Sequence, residues 1–272
     1  MNRIHTVATL GLAAIGATAA ARAQAADAPP YAVSGNVAIV SDYLFRGLTQ
    51  TWGGPAVQGG ADLTLANGFA AGAWASSISD KSYPGASLEL DLYANYGRAI
   101  GDDGSWRVGL YGYLYPNGNL DEAGLPARSF NTVEANAALT WKWLTLKYSQ
   151  ALTDYFGIDT EQGYRGDFKG SRYLQLDAAM PIDARWSLAL HAGHTHVATR
   201  LATPLPGGAT NPDYSDFGAT LRCQLAPHWS ASLGLGHATN AMFYAHTASF
   251  LDPADTRDVG GTRAFVQVQG TL

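Results

Sequence analysis

Leu88-Glu89-Leu90-Asp91-Leu92-Tyr93-Ala94-Asn95-Tyr96 alternates apolar with mostly polar residues. Side chains along a strand point to opposite faces with period 2. Leu88, Leu90, Leu92, Ala94 and Tyr96 therefore face one medium, and Glu89, Asp91 and Asn95 face another. Segments of about 10 residues with this pattern, separated by turn residues, mark a β-barrel of the outer membrane. A soluble sandwich alternates in the same way, so the rest of the chain has to decide.

The same alternation recurs in eleven other segments, about twelve in all. The first runs from Val33 through Phe45, with Val33, Val37, Ile39, Tyr43 and Phe45 on the apolar face and Asn36, Asp42 and Arg46 opposite. Val57, Ala61 and Leu63 oppose Gln58, Asp62 and Thr64. Residues 69–78 are small and apolar on both faces, which leaves their orientation open. Trp106, Val108 and Leu110 oppose Arg107, Tyr111, Tyr113 and Tyr115. Val133, Ala135 and Leu139 oppose Glu134 and Asn136, and Leu144 and Leu146 oppose Thr145 and Lys147. Leu174 and Leu176 oppose Gln175 and Asp177, and Leu188 and Leu190 oppose His191. Phe217 and Leu221 oppose Asp216 and Arg222, and Leu233 and Leu235 follow Trp229. Ala264, Val266 and Val268 close the series against Arg263, Gln267 and Gln269.

The gaps between segments alternate short and long. Short ones fall at Asn67-Gly68, a strong hairpin signal, and at 101–105, 142, 181–184 and 226–228. Long ones fall at 47–55, 79–86, 116–129, 153–170, 196–212 and 240–261. Outer-membrane barrels join an even number of strands by short periplasmic turns and longer outer loops. A sandwich has no reason to collect its long loops at one end. Trp106, Trp141, Trp143, Trp186 and Trp229 all lie beside short turns, where a girdle of aromatic rings meets the headgroups. The reading is an all-β, transmembrane, antiparallel up-and-down barrel of about 12 strands.

The N-terminus sets the compartment. Asn2 and Arg3 precede an apolar run, and Ala21-Arg22-Ala23-Gln24-Ala25 offers a small-residue cleavage site. This predicts a secretory signal over 1–25, a periplasmic lead over 26–32 and a barrel over 33–272. The expected location is the bacterial outer membrane, with lipid and the barrel-assembly machinery as partners. The chain ends in Leu272, where assembly signals usually end in an aromatic residue. The chain carries 17 Lys and Arg against 22 Asp and Glu. Without residues 1–25, which hold Arg3, Arg22 and no acid, 15 basic residues face 22 acidic ones and the net charge is −7. That balance argues against nucleic acid as a partner. The single Cys223 excludes an internal disulfide framework and sits on an apolar face.

Longer stretches carry a family resemblance. Residues Ser41-Asp42-Tyr43-Leu44-Phe45-Arg46-Gly47-Leu48-Thr49-Gln50-Thr51, with Pro55-Ala56-Val57-Gln58-Gly59-Gly60, resemble the opening of the TorF family of porin-like proteins, also described as the Gcw_chp group. Gly68-Phe69-Ala70-Ala71-Gly72-Ala73-Trp74, Tyr113-Leu114-Tyr115-Pro116 and Asp154-Tyr155-Phe156-Gly157 resemble it too. The resemblance spans most of the mature chain and is strongest before residue 160. It implies an outer-membrane barrel and a channel, and brings no substrate and no catalytic residues.

Candidate chemistry lies on the inner face. Asp42, Asp62, Glu89, Asp91, Glu134 and Asp177 point inward by parity, as do Arg46, Arg107, Lys147 and Arg222. Charges of both signs in a bore set ion and solute selectivity, and they serve equally well as an ion-paired plug in a narrow barrel. Tyr111, Tyr113 and Tyr115 form an inward aromatic stripe that either stacks on rings of a solute or fills the lumen. Within His191-Ala192-Gly193-His194-Thr195-His196, parity puts His191 inside and the other two histidines outside, so no metal site is expected. No Ser, His and acid share a face as a hydrolase needs. The expectation is a monomeric channel for passive diffusion of small hydrophilic solutes or ions, not an enzyme, and without a cofactor. The alternative is a closed structural or adhesive barrel acting through its outer loops.

Overall fold

The computed structural model describes residues 30–158, 163–166, 169–205 and 207–272. The expected signal over 1–25 and residues 26–29 of the lead lie outside them. Among the described residues, twelve strands close into one antiparallel barrel. In chain order they are β1 (Tyr31–Val40), β2 (Ala56–Leu65), β3 (Phe69–Ser77), β4 (Leu88–Ile100), β5 (Gly104–Leu114) and β6 (Thr132–Trp141). They continue as β7 (Leu144–Ala151), β8 (Arg172–Pro181), β9 (Trp186–His196), β10 (Tyr214–Ala226), β11 (Trp229–Ala238) and β12 (Gly261–Thr271). Each pairs with the next, and β12 returns to β1 through Asn36↔Thr271 to Val40↔Gln267. Strands of this length, tilted, span a bilayer core.

The exterior states the solvent. Val33, Ile39, Leu139, Leu233 and Val266 are each more than half exposed, and every barrel strand contributes to the same apolar belt. A soluble protein does not expose so large a continuous apolar surface. In hydrocarbon it is the favourable state, because a closed barrel satisfies its backbone hydrogen bonds internally. Trp141, Trp143, Trp186 and Trp229 are exposed at the short-turn end, at headgroup level. No helix among the described residues is long and apolar enough to cross a membrane; this chain crosses with strands. The protein is an outer-membrane barrel whose first strand starts, and whose last strand ends, on the short-turn, periplasmic side.

The long connections gather at the other end. Residues 115–131 hold a short 3-10 turn, Leu120–Ala123, capped by Asn119. Tyr164–Arg165 pairs with Arg200–Leu201 and ties two outer loops together. The last long loop carries a helical turn, Ala241–Tyr244, and a two-residue ladder, Thr247–Ala248 with Thr256–Arg257.

The first long connection differs from the expectation. The strand expected to run to Phe45 ends at Val40, and residues 41–55 turn into the barrel. There Leu44–Phe45 pairs with Leu48–Thr49 around Arg46-Gly47. Tyr43 and Phe45, expected outside, are buried inside. The reason is local. Arg46 and Gly47 both take positive φ, 48° and 77°, which is the tight hairpin turn that matches strand twist. A Cβ at Gly47 would come within 2.8 Å of the Asp216 Cβ and 3.1 Å of the Ala238 Cβ. Alternation alone carries no sign of that reversal.

The orientation left open over 69–78 is fixed by register. Trp74 and Ser76 on β3 face inward, and Trp74 meets Tyr43 edge-on at 5.4 Å between ring centres.

Candidate functional site

The inward segment 41–55 is held on both sides of the bore. At its root, Asp42 accepts from the Arg263 Nε of β12 at 2.8 Å, from the Thr49 hydroxyl at 2.5 Å and from the Thr51 hydroxyl at 3.1 Å. At its tip, the Arg46 guanidinium reaches Glu134 of β6, with Nη2 at 3.0 and 2.7 Å from the two carboxylate oxygens. Arg46 also donates to the Tyr155 hydroxyl at 2.9 Å and lies 4.3 Å from the Tyr173 ring centre. Behind it, the Tyr83 hydroxyl bonds to Gln50, and the Ser79 amide donates to the Gln50 carbonyl. The segment thus crosses the lumen from β12 to β6. Charge-assisted contacts away from water are the strong kind.

The wall it meets on β3 to β6 is aromatic and acidic. Phe45 packs on Tyr113 and on Phe156 at 5.5 Å each, and Tyr93 stacks on Tyr111 at 5.0 Å. Tyr83 stacks on Tyr115 at 4.7 Å. Glu89 and Asp91, two residues apart on β4, lie among these rings with no exposure. Lys147 of β7 places its ammonium 4.9 Å from the Tyr111 ring centre. The aromatic stripe therefore fills the outer half of the lumen and is not a free stacking platform.

The opposite wall, β8 to β10, carries a closed polar cluster. His191 Nδ1 lies 2.6 Å from Asp177 Oδ1, and His191 Nε2 lies 3.1 Å from Asp216 Oδ1 and 2.8 Å from the Tyr173 hydroxyl. The Tyr173 hydroxyl donates to Asp216 at 2.7 Å, and Gln175 donates to Asp177 at 2.6 Å. Gly193 makes this possible, since a Cβ there would sit 2.1 Å from the Tyr173 oxygen. Both ring nitrogens of His191 are engaged, which suits an imidazolium with two N–H donors and leaves no nitrogen to serve as a base. His194 and His196 point outward, to Ser215 at 3.0 Å and to Asp213 at 2.9 Å. Among the described residues no three His, Cys, Asp or Glu side chains are arranged to hold a metal ion.

Below the segment the interior is polar and less tightly filled. Asp62 accepts from Tyr93 at 2.7 Å, and Gln58 bonds to Ser76 and Gln267. Arg107 and Arg222 project into this inner half. Between residues 42–47 and the β10–β12 wall lies a cavity of about 30 Å³, bordered by Tyr43, Gln58, His191, Thr220 and Gln267, with room for water.

All thirteen residues singled out in the sequence, Asp42, Arg46, Asp62, Glu89, Asp91, Arg107, Tyr111, Tyr113, Tyr115, Glu134, Lys147, Asp177 and Arg222, face the barrel interior. Arg46 does so from the tip of the hairpin and not from β1. Tyr43, Phe45, Tyr155, Tyr173, Asp216 and Arg263 were not among them. Parity places Tyr173 and Asp216 inward, and a register would have joined them to Asp177 and His191, which are direct cross-strand partners. Tyr155 lies in the family-like stretch Asp154-Tyr155-Phe156-Gly157, but nothing there shows that it reaches Arg46 across 109 residues.

Comparison with known proteins agrees with this geometry. Residues 23–269 match the family described as "Bacterial protein of unknown function (Gcw_chp)". The chain belongs to the Gcw_chp family. No curated protein matches this Gcw_chp chain. Among solved structures it is similar to the KdgM porin, with 11% identity, 88% of this chain and 99% of that one covered, and a TM-score of 0.50. It is similar to the NanC porin, with 10% identity, 89% and 100% coverage and a TM-score of 0.50. At such identities the likeness is one of fold.

Proposed function

We propose that this Gcw_chp protein is a narrow channel of the outer membrane for passive diffusion of small hydrophilic solutes or ions, with residues 41–55 as its constriction. One observation carries the reading. Charged side chains of both signs, Arg46 bonded to Glu134 and Lys147 set over the Tyr111 ring, lie with Glu89 and Asp91 inside a bore enclosed by a lipid-facing wall. Preorganised charge at a constriction is how pores select. The polar inner half, with Asp62, Asp177, Arg107 and Arg222, is its periplasmic vestibule. On this reading the protein is no enzyme, uses no cofactor, works as a monomer and is inserted by the barrel-assembly machinery.

A second reading has its own support. Tyr43, Glu89, Asp91 and Glu134 have 1% exposure or less, so the outer half is packed. A closed barrel acting through its outer loops fits that packing. Planar-bilayer recording on refolded protein separates the two. The channel reading expects stepwise current, raised severalfold when 44–49 is replaced by a short Gly-Ser link. Silence from the full chain together with current from the replaced one favours the closed barrel, and silence from both ends the channel reading.

A further inference from the structure

Two guanidinium groups converge at the outer mouth of the barrel. A Cβ placed on Gly53, in the inward segment, would lie 2.7 Å from the Arg263 Nη2 and 3.1 Å from the Arg257 Nη2. The two nitrogens are therefore no more than about 6 Å apart, a distance at which like charges repel. Arg257 stands in the last long loop and is exposed. Arg263 stands at the outer end of β12, between the outward Thr262 and Ala264, and so faces the bore.

The backbone is shaped to hold the pair there. Trp52 and Gly53 both take positive φ, 56° and 76°. For a side chain as bulky as Trp that region is a strained outlier, and such strain collects at functional sites. The Trp52 carbonyl accepts from the Arg257 Nε at 2.9 Å. Gly53 beside it leaves both guanidinium groups the room that a side chain would deny them.

The acids nearby leave part of this charge unmet. Asp42 takes the Arg263 Nε at 2.8 Å, and the Arg263 Nη1 donates to the Asp258 carbonyl at 2.9 Å. The Asp258 carboxylate accepts from the His246 amide at 2.7 Å. Asp255 lies within electrostatic range of Arg257, but its oxygens hold Lys81 at 2.6 Å and the Trp52 indole at 3.4 Å. Among the described residues Arg257 makes no ion pair, and the Nη1 and Nη2 of Arg257 and the Nη2 of Arg263 have no acceptor. Guanidinium forks match the paired oxygens of a carboxylate or a phosphate.

We infer that Arg257 and Arg263, set over Gly53, bind an oxyanion group, carboxylate or phosphate, of a solute entering the bore. The inference rests on the channel reading and narrows its solute to the anionic class. Through Asp42, Arg263 is fixed to the root of the inward segment, so an anion held here stands at the entrance to the constriction and not against lipid.

The test is binding by the full chain in detergent at constant ionic strength. It is read by the phosphorus-31 linewidth of inorganic phosphate and by titration calorimetry with succinate. The unmodified protein should bind at least one of the two saturably. Arg257→Gln should weaken that binding about tenfold or more, the loss of one charge-assisted pair. Gly53→Ala adds the Cβ that the two forks exclude and should weaken it too. Arg98→Gln, at the periplasmic end of β4, should leave it unchanged. The gel-mobility change on heating verifies that each variant is folded. Absence of saturable binding by the unmodified protein overturns the site, and so does binding that Arg257→Gln leaves intact. The measurement needs no current. Binding by a protein that is silent in planar bilayers ends the channel reading and leaves the site, whereas current without binding does the reverse.

Discussion

The two walls of the lumen solve the same problem in opposite ways. On β8 to β10, Asp177, His191, Asp216 and Tyr173 close on one another, and each charged group meets a partner within about 3 Å. On β4, Asp91 sits as deep as Asp216, with no exposure and no hydrogen bond to either carboxylate oxygen. Burial alone does not separate the two walls, because both place charged groups inside the barrel. The separation lies in whether the hydrogen-bonding capacity is consumed. A consumed cluster holds strands in place, whereas a buried carboxylate without a hydrogen bond costs the fold stability.

That contrast can be broken from either side. The largest effect should come from the bridge between the inward segment and β6. Glu134→Leu leaves the Arg46 guanidinium buried without its carboxylate, and should lower the unfolding free energy in lipid vesicles by about 3–5 kcal/mol. Tryptophan fluorescence during urea titration measures it. Next comes the paired wall. His191→Leu removes the donor that Asp177 and Asp216 share, and should cost about 2–3 kcal/mol by the same titration. Asp91→Asn should go the other way, gaining about 1 kcal/mol, since it removes a buried charge that has no hydrogen bond. A loss as large as that of His191→Leu would show that the two walls are alike.

The smallest effect belongs to the outer rim. Burial would raise the Asp213 carboxyl, but the Val197 amide at 2.9 Å, His196 at 2.9 Å and Arg200 at 3.6 Å together hold it below the ordinary carboxylate range. Its contribution is therefore present above the unfolded carboxylate value of about 4 and lost as pH falls through the lower folded one. Acid below about pH 4 should loosen the 197–213 loop, seen as faster protease cleavage there. Asp213→Asn should abolish that pH dependence with little change in overall stability.

Most of the barrel was legible because lipid enforces a strict rule. A position facing the hydrocarbon strongly favours apolar side chains, so parity assigned the inward and outward faces of the strands from Val57 to Val268, residues 69–78 excepted. The rule ends where the chain leaves the bilayer. Residues 41–45 still alternate, yet Tyr43 and Phe45 turn inward because the next constraint is a hairpin at Arg46-Gly47 and not a membrane. The inner residues were legible as a set. Their pairing was not, because it depends on register for Asp177 with His191 and on loop placement for Arg46 with Glu134. Residues 69–78 were ambiguous for a third reason, since small side chains on both faces offer lipid and lumen equally little to distinguish.

The bond between Asp42 and Arg263 joins residues 221 positions apart, and it straddles the seam where the first and last strands meet. That seam has five register pairs, against ten between β1 and β2. Ser41 extends it, its amide bonding the Val266 carbonyl and its hydroxyl accepting from the Val266 amide. Loop closure over so long a separation is the costliest to nucleate, so this joint is the natural last step of insertion. The hairpin that narrows the bore springs from the same place. A barrel still open at this edge lacks the anchor for its own stopper, which ties the shutting of the cylinder to the seating of residues 41–55 as one event in biogenesis.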